Sequence, residues 1–355
     1  MVARPDLPEE ILIHIFSGLP VKSIGKCRCL SKQWRNLLST PHFIKSHLAL
    51  QNTRSKSLIL IPPSHVIRCV ETIRDNTVSR ELDLPGLWSE FVGSCDGLVL
   101  LIDNDDEFFL MNPITMEQSM IPDPPVSVKK TQGLYGFGYD SVRDDYKVVT
   151  VSYHMSDILI NPVYFDKLVY VYYVKSGVWR RIKSLPRHYS FPAIYSGAFV
   201  NGAIHWLVGR SDKSDCAVII ALDLDNDVFC EIPAPSVADV DSFLDSVLLV
   251  LGGYLCVVDT LSNREGTDVW IMKDYGAAES WTKFTVSGCF GDLFKPLCFI
   301  GEGEEEEEVV LLVEGPRLVV YNVNQGTLRD MVVVDRVQGI FLDGGTFVES
   351  LVSPA

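Results

Sequence analysis

Cys27, Cys29, His42 and His47 lie close together near the start of the chain, and a set of thiols and imidazoles is what a structural zinc ion takes. Their spacing argues against it. Two positions apart on one helix, Cys27 and Cys29 project roughly 200° from each other, so they cannot share one tetrahedral ion with the histidines unless the helix breaks. The alternating acids of Asp223 to Asp227 begin like a calcium loop, yet the required glycine does not follow and Ala234 stands where the closing Glu belongs. Asp103 to Glu107 fails in the same way, with Phe108 in the glycine position. Gly136-Phe137-Gly138 opens like a dinucleotide loop but lacks the third glycine and a following helix. No phosphate-binding loop and no Gly-x-Ser-x-Gly elbow is present. Glu304 to Glu308, preceded by Glu302, reads as a solvated loop between strands. His205-Trp206, Trp88, Trp179, Trp270 and Trp281 fall inside strand-like segments, where large aromatics serve packing. No catalytic, cofactor-binding or metal-binding set is expected. What remains is recognition.

The elements that would carry recognition are of two kinds. The first fifty residues read as helices. In Pro5 to Pro20, "PDLPEEILIHIFSGLP", Asp6 is the expected N-cap, Pro8 sits in the first turn, and Glu9 and Glu10 face the positive end of the helix dipole. At 100° per residue, Ile11, Leu12, Ile15, Phe16 and Leu19 cover an arc of roughly 140°, which Ile13 widens. Glu10, His14 and Ser17 lie opposite, and Gly18 lets the helix stop before Pro20. A second helix is expected from Pro20 to Cys29. Gly25 in its interior costs about 1 kcal/mol against Ala, so this helix should be short or frayed. A third runs from an N-cap at Ser31 to Ser39, and a fourth opens at Thr40-Pro41. A unit this small cannot close its own core, so its surplus apolar surface is expected to meet a partner chain.

Beyond about residue 55 the segments turn short, apolar and strand-like, bounded by Gly, Asn, Asp or Pro. A strand, a polar turn and a second strand recur in "FFLMNPITMEQSMIP", "LVYVYYVKSGVWRRIKSLP", "VIIALDLDNDVFCEIP", "DVWIMKDYGAAESWTKFTV" and "LVVYNVNQGTLRDMVV". A preceding half-repeat, a Gly- or Asn-marked turn leading into an apolar strand, occurs in "GSCDGLVLL", "SGAFVNGAIHWLV" and "VLGGYLCVV". The spacing is near that of four-stranded propeller blades, and three hundred residues at about fifty per blade give about six. "KSLILI", "VIRCVETI" and "VSRELDLP" belong to the first blade, and the late "GGTFVESLV" would close the ring against it, removing exposed edges.

The totals narrow the classes further. The 355 residues are 47% apolar and 22% charged, with net charge −15, which disfavours a dedicated nucleic-acid binder. Residues 1–50 nevertheless carry seven Lys/Arg against three acids, and the remainder 24 against 43, so a small basic unit adjoins a large acidic one. Nine cysteines, no signal-peptide pattern and no membrane-spanning apolar run point to free thiols in the cytoplasm or nucleus.

Leu7 to Phe43 resembles an F-box, at Leu7-Pro8, Glu10, Ile11, Ile15, Leu19-Pro20, Val21-Lys22-Ser23, Arg28-Cys29-Leu30, Lys32, Trp34, Leu38, Pro41 and Phe43. From Gly93 to Val352 the chain resembles the F-box-associated, kelch-like domain of plant F-box proteins, through "GSCDGLVLL", "NPITMEQSMIP", "YGFGYDSVRDDYKVV", "VYVYYVKSGVWRRI", "GAIHWLV", "DVWIMKDYGAAESWTKF" and "FVESLV". The resemblance implies a mostly β protein: an α-helical F-box over residues 1–50, then a β-propeller-like domain of about six blades over 51–355. It implies a non-catalytic substrate receptor of a Skp-cullin-F-box (SCF) ubiquitin ligase. Leu7, Pro8, Ile11, Leu12, Ile15, Leu19, Pro20, Leu30 and Trp34 would divide between contact with a Skp-type adaptor and internal support. The propeller would hold a target protein, with neither nucleic acid nor membrane as partner. Its binding loops are expected among Ser152 to Tyr164, Arg187 to Tyr195, Gly209 to Cys216 and Ser262 to Thr267. Two other readings stay open: a propeller lectin or enzyme with a helical extension, and an F-box scaffold acting outside a ligase.

Overall fold

Helix α1 (Glu9–Ser17) follows Pro8, whose φ of −53° leads into the first turn, and Glu9 and Glu10 occupy that turn. The computed structural model describes residues 8–51, 57–61, 66–73, 76–83, 87–125, 133–153, 167–190, 196–210, 216–235, 246–259, 266–287, 294–300, 308–313, 317–331, 333–334 and 343–354. The expected cap Asp6 lies outside them. Helix α2 (Val21–Leu30) runs unbroken through Gly25, so the expected fraying does not occur. A Cβ at Gly25 would meet nothing within 4 Å, which leaves only the intrinsic helix cost at this position. In α3 (Lys32–Leu38) the Ser31 hydroxyl accepts the Trp34 N–H at 3.1 Å, and ahead of α4 (Pro41–Gln51) the Thr40 hydroxyl accepts the Phe43 N–H at 3.3 Å. Phe16, Val21, Ile24, Leu38 and Phe43 form the helical core, with Trp34 edge-on to Phe16 at 5.0 Å.

Six antiparallel sheets follow as blades. Blade 1 contains β1 (Ser57–Ile61), β2 (Val66–Ile73) and β3 (Asn76–Asp83). Blade 2 contains β4 (Trp88–Cys95), β5 (Leu98–Asp103), β6 (Phe108–Met111) and β7 (Gln118–Ile121). Blade 3 contains β8 (Gly133–Asp140), β9 (Asp145–Tyr153), β10 (Lys167–Tyr173) and β11 (Val178–Arg181). Blade 4 has a split inner edge, with β12 (Tyr189–Ser190) and β13 (Ala198–Val200) both pairing β14 (Ala203–Arg210), followed by β15 (Cys216–Asp223) and β16 (Val228–Ile232). Blade 5 contains β17 (Val247–Leu251), β18 (Tyr254–Asp259), β19 (Thr267–Met272) and β20 (Trp281–Val286). Blade 6 contains β21 (Phe294–Ile300), β22 (Glu308–Val313), β23 (Arg317–Asn322) and β24 (Thr327–Asp330). The short β25 (Val333–Val334) adds to β3 in parallel. Finally β26 (Asp343–Phe347) pairs with β1, from Ser57↔Phe347 to Ile61↔Asp343, and closes the ring as the sequence pattern predicts.

The apolar strands are continuous because both faces are buried. In β1, Ile59 and Ile61 enter the seam with blade 2, while Leu58 and Leu60 enter the seam with blade 6. One such cluster fills each of the six seams. Outermost strands such as β11 and β24 are mainly exposed and read polar. Two turns recur among the described residues, the first in three blades and the second in five. Asp96-Gly97, Asn201-Gly202 and Gly252-Gly253 have φ between 51° and 88° at both central positions, the type I′ geometry that suits tight hairpins. At Gly97 a Cβ would also stand 2.2 Å from the Ser350 hydroxyl. The second turn joins the third and fourth strands, with Met116, Gly177, Asp227, Gly276 and Gly326 left-handed. In the β15–β16 turn Asp223 accepts the N–H groups of Asp225 and Asn226 on its own side chain, while Asp225 accepts from Ser141 and Asp227 from Lys147 of blade 3, which accounts for the alternating acids there. Trp179 and Trp281 tie neighbouring blades by donating to the carbonyls of Pro122 and Pro233.

Candidate functional site: a helical face and the opposite mouth of the ring

Leu12 and Phe16 of α1, with Leu19 just past it, turn inward, and Ile11 and Ile15 form a parallel stripe facing out, 46% and 49% exposed. Leu30, at the end of α2, is 71% exposed, and Pro8 and Pro20 are exposed beside these helices. The half-buried Leu12, Leu19 and Trp34 pack in the helical core, and Leu7 lies outside the described residues. Helical periodicity shows a wide apolar arc but not its midline; packing draws that line between Leu12 and Ile11. Cys27 packs against the core while Cys29 is exposed, the divergence their spacing requires.

Part of the helical core comes from this chain's own propeller, a contribution the sequence reading did not foresee. Leu351, just past β26, and Ile114, in the β6–β7 turn, join the helical cluster. Around them Lys22 pairs with Glu71 and lies 3.6 Å from Glu349, and Lys45 pairs with Asp144. Lys45, with Tyr139 and Lys175, holds the Asp144 carboxyl well below its usual range. The basic helices therefore sit on an acidic rim of the ring, the charge split of the sequence made local.

These contacts all lie at one end of the ring, the end of the β4–β5, β6–β7 and β8–β9 turns. The strand ends Tyr153 and Lys167, Arg210 and Cys216, and Asp259 and Thr267 lie at the other end, by the antiparallel course of each blade. They flank the loops expected to bind a target. Most of those loop residues lie outside the described residues, as do Glu304 to Glu307.

The inner strands β4, β8, β13, β17, β21 and β26 surround the axis, and all of them but β8 line a cavity of about 840 Å³. At the end away from the helices, where each inner strand begins, its mouth is lined by Ser89, Glu90, Phe294, Lys295 and Asp343, and at the helix end it reaches Gly97 and Gly253. At the mouth Lys295 of β21 pairs with Asp343 of β26 at 2.8 Å and lies over the Phe91 ring, 5.4 Å from its centre. Asp343 also accepts the Phe91 N–H at 2.8 Å. Next to them Glu90 of β4 accepts the Tyr135 hydroxyl of β8. Burial pushes the Glu90 carboxyl up to about 7, with the Asp343 charge adding to the rise and Tyr135 and Lys295 opposing it. Sequence reasoning missed this cluster. Its members come from four blades, and only an acid inside the strand Trp88–Cys95 hinted at it.

Other buried polar groups serve packing. Lys147, fully buried, bridges Asp140 at 2.8 Å and Asp227 at 2.7 Å, bolting blade 3 to blade 4. Burial pushes Asp140 up, but bonds from Lys147 and Arg143 outweigh it and hold this carboxyl near 2. His205 lies buried between the Ala198 carbonyl, which accepts at 3.0 Å, and the Tyr275 hydroxyl at 2.7 Å, and burial lowers it to about 4.

Comparison with known families and proteins agrees with this architecture. The family described as F-box associated beta propeller domain matches residues 47–354, and the F-box domain family matches residues 5–46. An F-box/kelch-repeat protein of Arabidopsis thaliana is 28% identical over 372 residues, spanning 100% of this chain and 97% of that protein. F-box protein CPR1 of the same plant is 28% identical over 355 residues, spanning 93% of this chain and 85% of that protein. Among solved structures, an oligogalacturonate lyase in complex with manganese is similar over 81% of each chain at a TM-score of 0.42 and 9% identity.

Proposed function

The chain belongs to the F-box proteins that carry an F-box associated β-propeller domain, and from that premise we propose that it is the substrate-recognition subunit of an SCF-type ubiquitin ligase. The exposed stripe of Ile11 and Ile15 with Leu30 carries this reading: it is the apolar surface that the chain's own propeller leaves uncovered. A Skp-type adaptor is the partner that covers it. The propeller holds a protein target at the end of the ring away from the helices. The ligase gains rate through proximity, since a tethered lysine reaches a high effective concentration near the loaded conjugating enzyme. No group of this chain need take part in the chemistry.

Co-purification with the Skp-type adaptor tests the docking face. Ile11→Asp with Ile15→Asp should abolish it without lowering the melting temperature, because both side chains are exposed. Full retention of the adaptor by that variant would overturn the assignment.

A further inference from the structure

We propose that the axial cavity is the receptor's specificity pocket and takes a lysine or arginine side chain of the bound target; this deepens the reading above and rests on it. Four observations carry it. The cavity reaches the end of the ring away from the docking helices, where a target has room. Its mouth already accommodates one basic side chain from the chain itself, Lys295, whose ammonium sits between the Asp343 carboxylate and the Phe91 face. Beside that pair stands a second carboxylate, Glu90, which holds the Tyr135 hydroxyl but, among the described residues, has no cation within ion-pair distance. Deeper along the inner strands the lining adds apolar side chains, Val92, Leu249 and Val250, against which an alkyl stem can lie.

Charge points the same way. Residues 51–355 carry 24 basic against 43 acidic residues, so the domain as a whole favours a basic partner. Asp106, on the β5–β6 turn at this end, adds its field to that on Glu90. The groups acting on Glu90 are thus Tyr135 from β8, Asp343 from β26, Lys295 from β21 and Asp106 from its own blade. A guest cation would draw Glu90 into its ionised form and release a proton.

The test uses the full-length chain purified with its Skp-type adaptor and a random peptide display library as the probe. Selected peptides should share a Lys or Arg at one position. Glu90→Gln should weaken their binding at least about tenfold, as for loss of one partner of a charge pair. Glu90→Lys, which supplies its own cation, should abolish it, while the exposed Glu107→Gln should not alter it. Wild-type affinity should fall from about pH 8 to about pH 6, as Glu90 takes up its proton. No enriched peptide, no basic preference, or equal binding by the Glu90→Gln variant would overturn the proposal. So would spermidine displacing the peptides at concentrations equal to their own affinity, which would make a free polyamine the occupant. Adaptor retention is read in the same preparation. An adaptor-bound chain without basic preference sinks the pocket alone, whereas loss of the adaptor sinks the functional reading.

Discussion

Glu90 and Lys147 are both charged groups taken out of water, and the structure treats them oppositely. Lys147 has two carboxylates within 2.8 Å and ties two blades together. Glu90 has a hydroxyl, no bonded cation among the described residues, and a carboxyl raised to about 7 from an ordinary 4.5. The sign of the consequence follows. Between pH 4.5 and about 7 the folded chain keeps a proton that the unfolded chain has lost, so stability falls as pH rises through that window. Glu90→Gln removes the fall: thermal melts should show the variant more stable than wild type near pH 8 and level with it near pH 4. A constant difference across that range would show that the group is not the titrating one. A charge kept at a cost to stability is what a binding residue shows, and a seam residue such as Lys147 does not.

Among the elements, the helices and the blades share one core rather than meeting at a loose linker. Leu351 is 5% exposed and packs with Phe16, Val21 and Phe43, although some three hundred residues of chain separate them. Leu351→Ala should cost about 2–4 kcal/mol. Hydrogen exchange should rise across α1 to α4 and leave the distant blades 4 and 5 unchanged. Uniform protection of the helices in that variant would mean that they hold together without the propeller. The strands themselves were legible locally: the Asn-Gly and Gly-Gly turns, the polar turns between third and fourth strands and the both-faced apolar runs each announce a blade. Gly25 shows where a local rule misleads, because α2 is carried past its cost by Val21 and Ile24 in the core.

For the whole molecule, closure is decisive. Strand β26 is the inner strand of the blade that β1, β2 and β3 begin, so the two ends of the propeller domain form one sheet. Removing residues 343–354 should expose the β1 edge, open the seams on both sides and strip Leu351 from the helical core. Size-exclusion chromatography should then show association, and the thermal transition should broaden or vanish. A sharp monomeric transition would refute closure as the source of cooperativity. The amino-acid sequence by itself determined the helical start, a propeller of about six blades, the closing strand and the family, because turn chemistry and apolar periodicity act between near neighbours. Only the tertiary structure decided which apolar residues of α1 stay exposed, that the propeller completes the helical core, and that Glu90, Tyr135, Lys295 and Asp343 meet at the mouth opposite the helices. Those outcomes depend on contacts between residues far apart in the chain, which the order of residues along any one element does not encode.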